Sequence, residues 1–204
     1  MYFVKSSFYD HTEFVKMEMS TSERNFAAAA LAVFQRYGVR KATMEEIAAE
    51  AGVSKPTLYA TFRNKDAALG GAIRLAKNAQ LTAAQEAWTA APTLSDQLDI
   101  FLDQLVLTGF DMLHNAPDAA AFENAVGEAS AEAITVTRET EIDAVRALFD
   151  GQRMLATHGL DAAGFARFFV DAAMNAKRLA QTRAELEDHL RTLKATALGL
   201  VNEG

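Results

Sequence analysis

The segment "EEIAAEAGVSKPTLYATF", Glu45 to Phe62, constrains this chain more than any other. A short helix runs into Gly52, the chain turns within three residues, and a second helix restarts at "SKPT". Thr43 is placed to cap the first of these helices, with Glu45 and Glu46 in its opening turn, where carboxylates meet the positive helix end. Met44, Ile47, Ala48 and Ala51 form its apolar stripe. Ser54 caps the next helix, and Pro56 sits in its first turn, where a missing N–H costs nothing. Leu58 and Phe62 then face inward, leaving Lys55, Thr57, Tyr59 and Thr61 outward. Two short helices in this arrangement describe a helix-turn-helix. A generic helix–helix corner has the same outline, but burial would waste Lys55 and Tyr59, whereas a DNA major groove would use them.

Charge is split along the chain. The formal total is −7, which by itself argues against a polyanionic partner. Residues 20–77, however, hold nine Lys/Arg against five Asp/Glu, and residues 78–204 hold nine against nineteen. A basic head can approach a nucleic acid while an acidic body is turned away from it.

The remaining sequence favours helix. Half of the residues are apolar, alanine is abundant, and Pro56, Pro92 and Pro117 are the three prolines. A helix from about Ser22 to Tyr37, ended by Gly38, precedes the quoted segment, and another opens at Lys65 after an Asn64 cap and continues to about Trp88. Pro92 and Ser95 mark a break. Helices are then expected over about 94–114, 119–129, from Ile134 through Phe149 to Leu155, 161–179 and 183–201. The fold expected is all-α, with a three-helix head at 20–70 and a helical body at 71–204. Residues 1–19, "MYFVKSSFYDHTEFVKMEM", lack the plan of a secretory signal. Their first 18 residues read equally as an upstream extension of the frame or as an arm packed on the body. The absence of cysteine suits a reducing cytoplasm. No apolar run approaches a membrane span.

"TMEEIAAEAGVSKPTLYATFRNKDAAL", Thr43 to Leu69, resembles the DNA-binding head of the tetracycline-repressor (TetR) family, and with helix one the resemblance covers about residues 22–75. It implies a homodimer whose variable helical body senses a small molecule, pairs with its mate and releases DNA when the ligand binds. Double-stranded operator DNA, a second copy of the chain and a small-molecule effector are the partners so implied. Carried over residue by residue, Thr43 would offer its hydroxyl and amide to a phosphate, with Lys55, Pro56 and Thr57 meeting base edges. Tyr59, Lys65 and, more weakly, Thr61 would reach the backbone. Tyr59 could instead be a ring wedged between helices, and Lys65 a solvated surface lysine. Thr61 stands where the family often has an aromatic or histidine, which weakens its assignment. Glu45 serves the helix dipole or accepts from a base, the dipole being favoured.

In the body, Leu186, Leu190, Leu193 and Ala197 repeat at helical seam spacing, and Phe169 and Ala173 lie on the preceding helix. The same spacing serves an intramolecular core equally well; the resemblance favours a dimer interface. Phe110, Phe122 and Phe149, with His114, Arg146 and Asn175 as polar handles, are the candidates for an apolar effector cavity, suited to a hydrophobic or aromatic molecule. No cofactor or metal is expected. The four histidines are widely spaced, no Glu-x-x-His occurs, and phosphate-binding glycine loops and nucleophile elbows are missing, which sets an enzyme aside. A helical protein–protein adaptor is the alternative class.

Overall fold

The computed structural model describes residues 19–114, 131–151 and 157–202. The expected N-terminal arm (1–18) and the short helix at 119–129 lie outside them. Among the described residues there is no strand, and no helix is long and apolar enough to cross a membrane.

Three helices form the head. α1 spans Thr21–Tyr37, α2 Met44–Glu50 and α3 Lys55–Thr61. Ser20 caps α1, its hydroxyl accepting from the Glu23 amide at 3.1 Å. Between α2 and α3 the chain reverses at Gly52, whose φ of +67° a side chain would resist. The Val53 amide donates back to the Ala48 carbonyl at 3.0 Å and closes the turn. Phe26, Val33, Phe34, Ile47, Leu58 and Phe62 meet in one buried cluster, joined by Met19.

α4, Lys65–Ala90, runs out of the head for 26 residues, about 39 Å at helical rise. It buries Ala68, Leu69 and Ala72 in the head cluster and Leu81, Ala84 and Trp88 in a second one. That second core belongs to the body, built from α5 (Leu94–Phe101), α6 (Thr108–His114), α7 (Ala131–Phe149), α8 (Ala162–Leu179) and α9 (Arg183–Asn202). Its centre is aromatic. The Phe149 ring stands edge-on to Phe165 at 4.9 Å and to Phe169 at 5.9 Å, and Phe101 lies 6.0 Å from Phe169.

The expected continuous helix over 94–114 is interrupted. Leu102–Leu107 forms a wider, π-helical turn in which the Thr108 amide reaches back five residues to the Asp103 carbonyl. The Thr108 hydroxyl donates to that same carbonyl at 3.0 Å. Such a turn inserts a residue and re-aims those that follow. Here it lets Leu102, Leu105 and Val106 all enter the core.

The terminal helices correct one expectation. Phe169, Ala173, Leu186, Leu190 and Ala197 are all buried inside a single chain, where α9 packs on α8, α5 and the π-helical turn. Their side chains are taken up by the chain's own core. Leu193 alone of the expected set is half-buried and borders a surface concavity of about 350 Å³ between α8 and α9, together with Phe168, Ala172, Ala176 and His189. Seam spacing says that residues share a helix face, and here the chain's own core claims that face.

The head is keyed to α4 through Gly71. An alanine Cβ there would lie 2.6 Å from the tip of the buried Phe62 ring. Gly71→Ala is expected to destabilise the head by about 1–3 kcal/mol through overpacking, overriding the roughly 1 kcal/mol that alanine gains in a helix; chemical denaturation gives the sign.

Candidate nucleic-acid interface and helical body

α3 is only seven residues long and sinks a single one of them, Leu58, fully into the core. Lys55, Pro56, Thr57, Tyr59, Ala60 and Thr61 are all exposed, Tyr59 at 43%. At the helix start, the Ser54 hydroxyl accepts from the Thr57 amide at 3.3 Å and shares a 2.8 Å hydrogen bond with the Thr57 hydroxyl. This fixes the first turn and fans the side chains of Lys55, Pro56 and Thr57 around a helix N-terminus. Tyr59 stands on the surface as a free ring, not as a wedge between helices.

Lys55 is paired across the turn with Glu45 of α2. The hydrogen bond from Lys55 is the main reason the Glu45 carboxyl is held below the usual glutamate range. Glu45 therefore grips the lysine that leads α3, a role neither the dipole nor the base-contact reading anticipated.

Thr43 completes a reciprocal capping box. Its hydroxyl accepts from the Glu46 amide at 3.2 Å, while its own amide and hydroxyl donate to the Glu46 carboxylate at 2.8 and 2.9 Å. The groups expected to meet a phosphate are thus already engaged, and a phosphate would have to displace Glu46.

Lys65 departs further from expectation. It is half-buried, and its ammonium donates to the carbonyls of Val39, Arg40 and Ala42 at 2.9, 3.3 and 3.3 Å. A lysine has three N–H donors, and all three are used in closing the loop between α1 and α2. Arg40, Lys41 and Arg63, by contrast, are exposed, and no described ion pair engages them. They bracket α2 and the end of α3, positions the regional charge balance pointed to without singling them out.

In the body, the residues expected to line one cavity do not converge. Phe110 and Phe149 are in the core. Arg146 lies on the surface, 3.8 Å from Asp143 one turn earlier, and exposed Asn175 accepts from Arg178 at 2.9 Å. Arg146 follows buried Val145 directly, so the helical rotation that buries one exposes the other. Phe122 and the side chain of His114 lie outside what is described. Charge instead collects at an unexpected place. Glu141 of α7, only 4% exposed, accepts from Lys77 of α4 at 3.1 Å, and Lys177 of α8 lies close enough to feel both.

A basic head with an exposed polar helix held by a tight turn, mounted on a separate helical body, is the arrangement of a helix-turn-helix DNA-binding transcriptional regulator. Residues 27–69 match the sequence profile of the bacterial regulatory proteins of the tetR family, a match that covers the head of this chain. No curated protein matches the chain significantly. Among solved structures, a TetR-family transcriptional regulator from Pectobacterium atrosepticum is 19% identical, with a TM-score of 0.60 over 92% of this chain and 98% of its own. SmeT, the repressor of the Stenotrophomonas maltophilia multidrug efflux pump SmeDEF, is 19% identical with a TM-score of 0.52, covering 85% and 89%. A TetR transcription regulator from Haloarcula marismortui is 19% identical with a TM-score of 0.50, covering 89% and 96%. At such identities the likeness is one of fold.

Because its donors are spent on loop carbonyls, Lys65→Met is expected to lower head stability by about 1–3 kcal/mol by orphaning those acceptors. It should leave the slope of duplex affinity against salt unchanged. A slope reduced by about one would instead return Lys65 to the phosphate contacts.

Proposed function

We propose that this protein is a dimeric operator-binding regulator, acting as a repressor, in which residues 20–70 read DNA and residues 71–204 sense an effector and pair with a second copy. The single observation that carries the reading is the solvent-facing row Lys55, Pro56, Thr57 and Tyr59 at the start of a capped, seven-residue α3. Lysine donates to guanine O6 and N7, the threonine methyl and proline ring pack on a thymine methyl, and a tyrosine hydroxyl reaches phosphate. Arg40, Lys41 and Arg63 supply exposed positive charge around that row. On binding, Lys55 exchanges Glu45 for the duplex, so the free head is held in an acidic grip that DNA must relieve.

Two heads on successive major grooves of a pseudo-palindrome require half-sites about 34 Å apart, or a multiple of that. The pairing surface we assign is the outward face of α8 and α9. Phe168 and Leu179 are 57% and 55% exposed there, beside Ala172, Leu193 and His189. An effector that prefers the wrongly spaced dimer by about 3 kcal/mol would weaken operator binding roughly a hundredfold. Nothing in this scheme calls for a cofactor, and its setting is the cytoplasm.

The test is footprinting on the DNA upstream of the chain's own reading frame, followed by a salt series on the protected duplex. Affinity should fall steeply with salt, and Thr57→Ala should relax preference at one operator position by about 1–3 kcal/mol. Uniform weakening over all sequences would remove Thr57 from base contact. A head that binds no duplex at any salt would make the chain a protein adaptor instead. Phe168→Glu should yield monomers by analytical ultracentrifugation with the fold intact, whereas Leu190→Ala should cost about 2–5 kcal/mol of stability without changing the oligomeric state.

A further inference from the structure

Three charged side chains from three helices meet in the body, and their charges do not cancel. Lys77 donates to the buried Glu141 carboxylate, and that pair is neutral. Lys177 remains. Among the described residues no hydrogen bond or ion pair engages its ammonium, and its pKa is lowered to about 8, chiefly by desolvation, with Lys77 contributing and Glu141 opposing. At neutral pH it is still a cation. Such a charge is costly to keep among protein atoms without an anion beside it.

The ammonium lies against the backbone of α6 at Gly109, where an alanine Cβ would come within 2.5 Å of Lys177 Nζ. Gly109 is the second residue after the π-helical turn, whose inserted residue sets the direction in which α6 presents its faces. Lys77 lies on α4, the helix that also carries the head.

We propose that Lys177, with Lys77 beside it, is the anion-recognising end of an effector site in the body, and that the effector is a small organic anion whose carboxylate or phosphate oxygens accept from these ammonium groups. This rests on the regulator reading above and narrows its effector from any apolar molecule to one with a charged end. The apolar remainder of such a molecule would lie against the side chains of the body core. Neutral isosteres would leave the Lys177 ammonium as poorly solvated as before and gain nothing from it.

The experiment is a calorimetric titration of the full chain at neutral pH with probes that share one chain and differ in charge: octanoate, octyl phosphate, octanol and octylamine, with inorganic phosphate alone as the headgroup control. At least one of the two octyl anions should bind about ten- to hundredfold more tightly than octanol, the size of a charge-assisted hydrogen bond, and octylamine should bind worst. Which anion wins separates carboxylate from phosphate chemistry. Lys177→Met should bring the anion down to octanol, Lys177→Arg should keep the preference, and Gly109→Ala should weaken the anion while leaving octanol unchanged. An anion bound no better than octanol, or equally well by Lys177→Met, overturns the assignment, as does a failure of every anion to bind. Duplex binding is measured separately in the same samples. If octanol or octylamine releases the duplex and the anions do not, the regulator reading stands and this inference falls. If no duplex binds, that reading falls while the titration still decides whether Lys177 recognises an anion.

Discussion

One helix belongs to two cores, and the rest of the structure depends on it. α4 contributes Ala68, Leu69 and Ala72 to the head and Leu81, Ala84 and Trp88 to the body. Neither core could form around half of it. Between the two buried stretches, α4 is tied sideways by charge: Arg74 pairs with Glu23 of α1, and Lys77 pairs with Glu141 of α7. The helix is therefore packed at both ends and salt-bridged in the middle. Gly71 adds a steric key, since it leaves room for the Phe62 ring that ends the recognition helix. The orientation of α3 is set by α4, not by the three-residue turn alone.

Inside the head, the polar groups that would serve a duplex already serve the fold. Glu46 holds the Thr43 amide and hydroxyl, Glu45 holds Lys55, Ser54 holds Thr57, and the loop carbonyls hold Lys65. Each arrangement satisfies a donor that an unbound protein would otherwise leave to water, and each makes contact with DNA an exchange rather than an addition. Exchanges that cost little are those at exposed pairs, such as Lys55 with Glu45, where water screens the attraction. Those that cost more are at half-buried groups such as Lys65, whose removal strands three carbonyls. This difference sorts the head's cations into ones that can be lent to a ligand and ones that cannot.

The helices of the head were legible because each carries its own punctuation. Gly38, Thr43, Gly52, Ser54, Pro56 and Asn64 each act on the backbone locally, and local rules need no knowledge of the rest of the chain. The start of α1 came one residue before the expected Ser22, among adjacent hydroxyls that are chemically alike. In the body the long α8 and α9 were legible from their apolar spacing, but what faced that spacing was not. Leu186 and Leu190 read the same whether a partner helix comes from the same chain or another, and only the placement of α5 and the π-helical turn decides. The π-helical turn itself has no sequence mark, because Leu102–Leu107 is ordinary helical composition. Lys65 was misassigned for a related reason: a lysine's reach is long enough that its target is fixed by tertiary structure. Lys177 escaped attention altogether, since one lysine in an alanine-rich helix looks solvated until its neighbours are known.

In the proposed regulator, the body needs a place where a small molecule can change a force on α4. The apolar core is a poor lever, because close-packed side chains accept a ligand only by being displaced, and the cost falls equally on every helix around it. A charge pair is a better one. Lys77 is bound to Glu141 across the α4–α7 contact, and Coulomb attraction at 3.1 Å between a half-buried lysine and a buried glutamate changes sharply when a third charge arrives. An anion placed near Lys177 would compete with Glu141 for Lys77, loosening this polar tie between α4 and α7. Because α4 is keyed to α3 through Gly71 and Phe62, a rotation at Lys77 would act on the helix that also positions α3. Lys77, which meets the body's charge cluster, and Gly71, which keys the head, thus lie six residues apart on one helix.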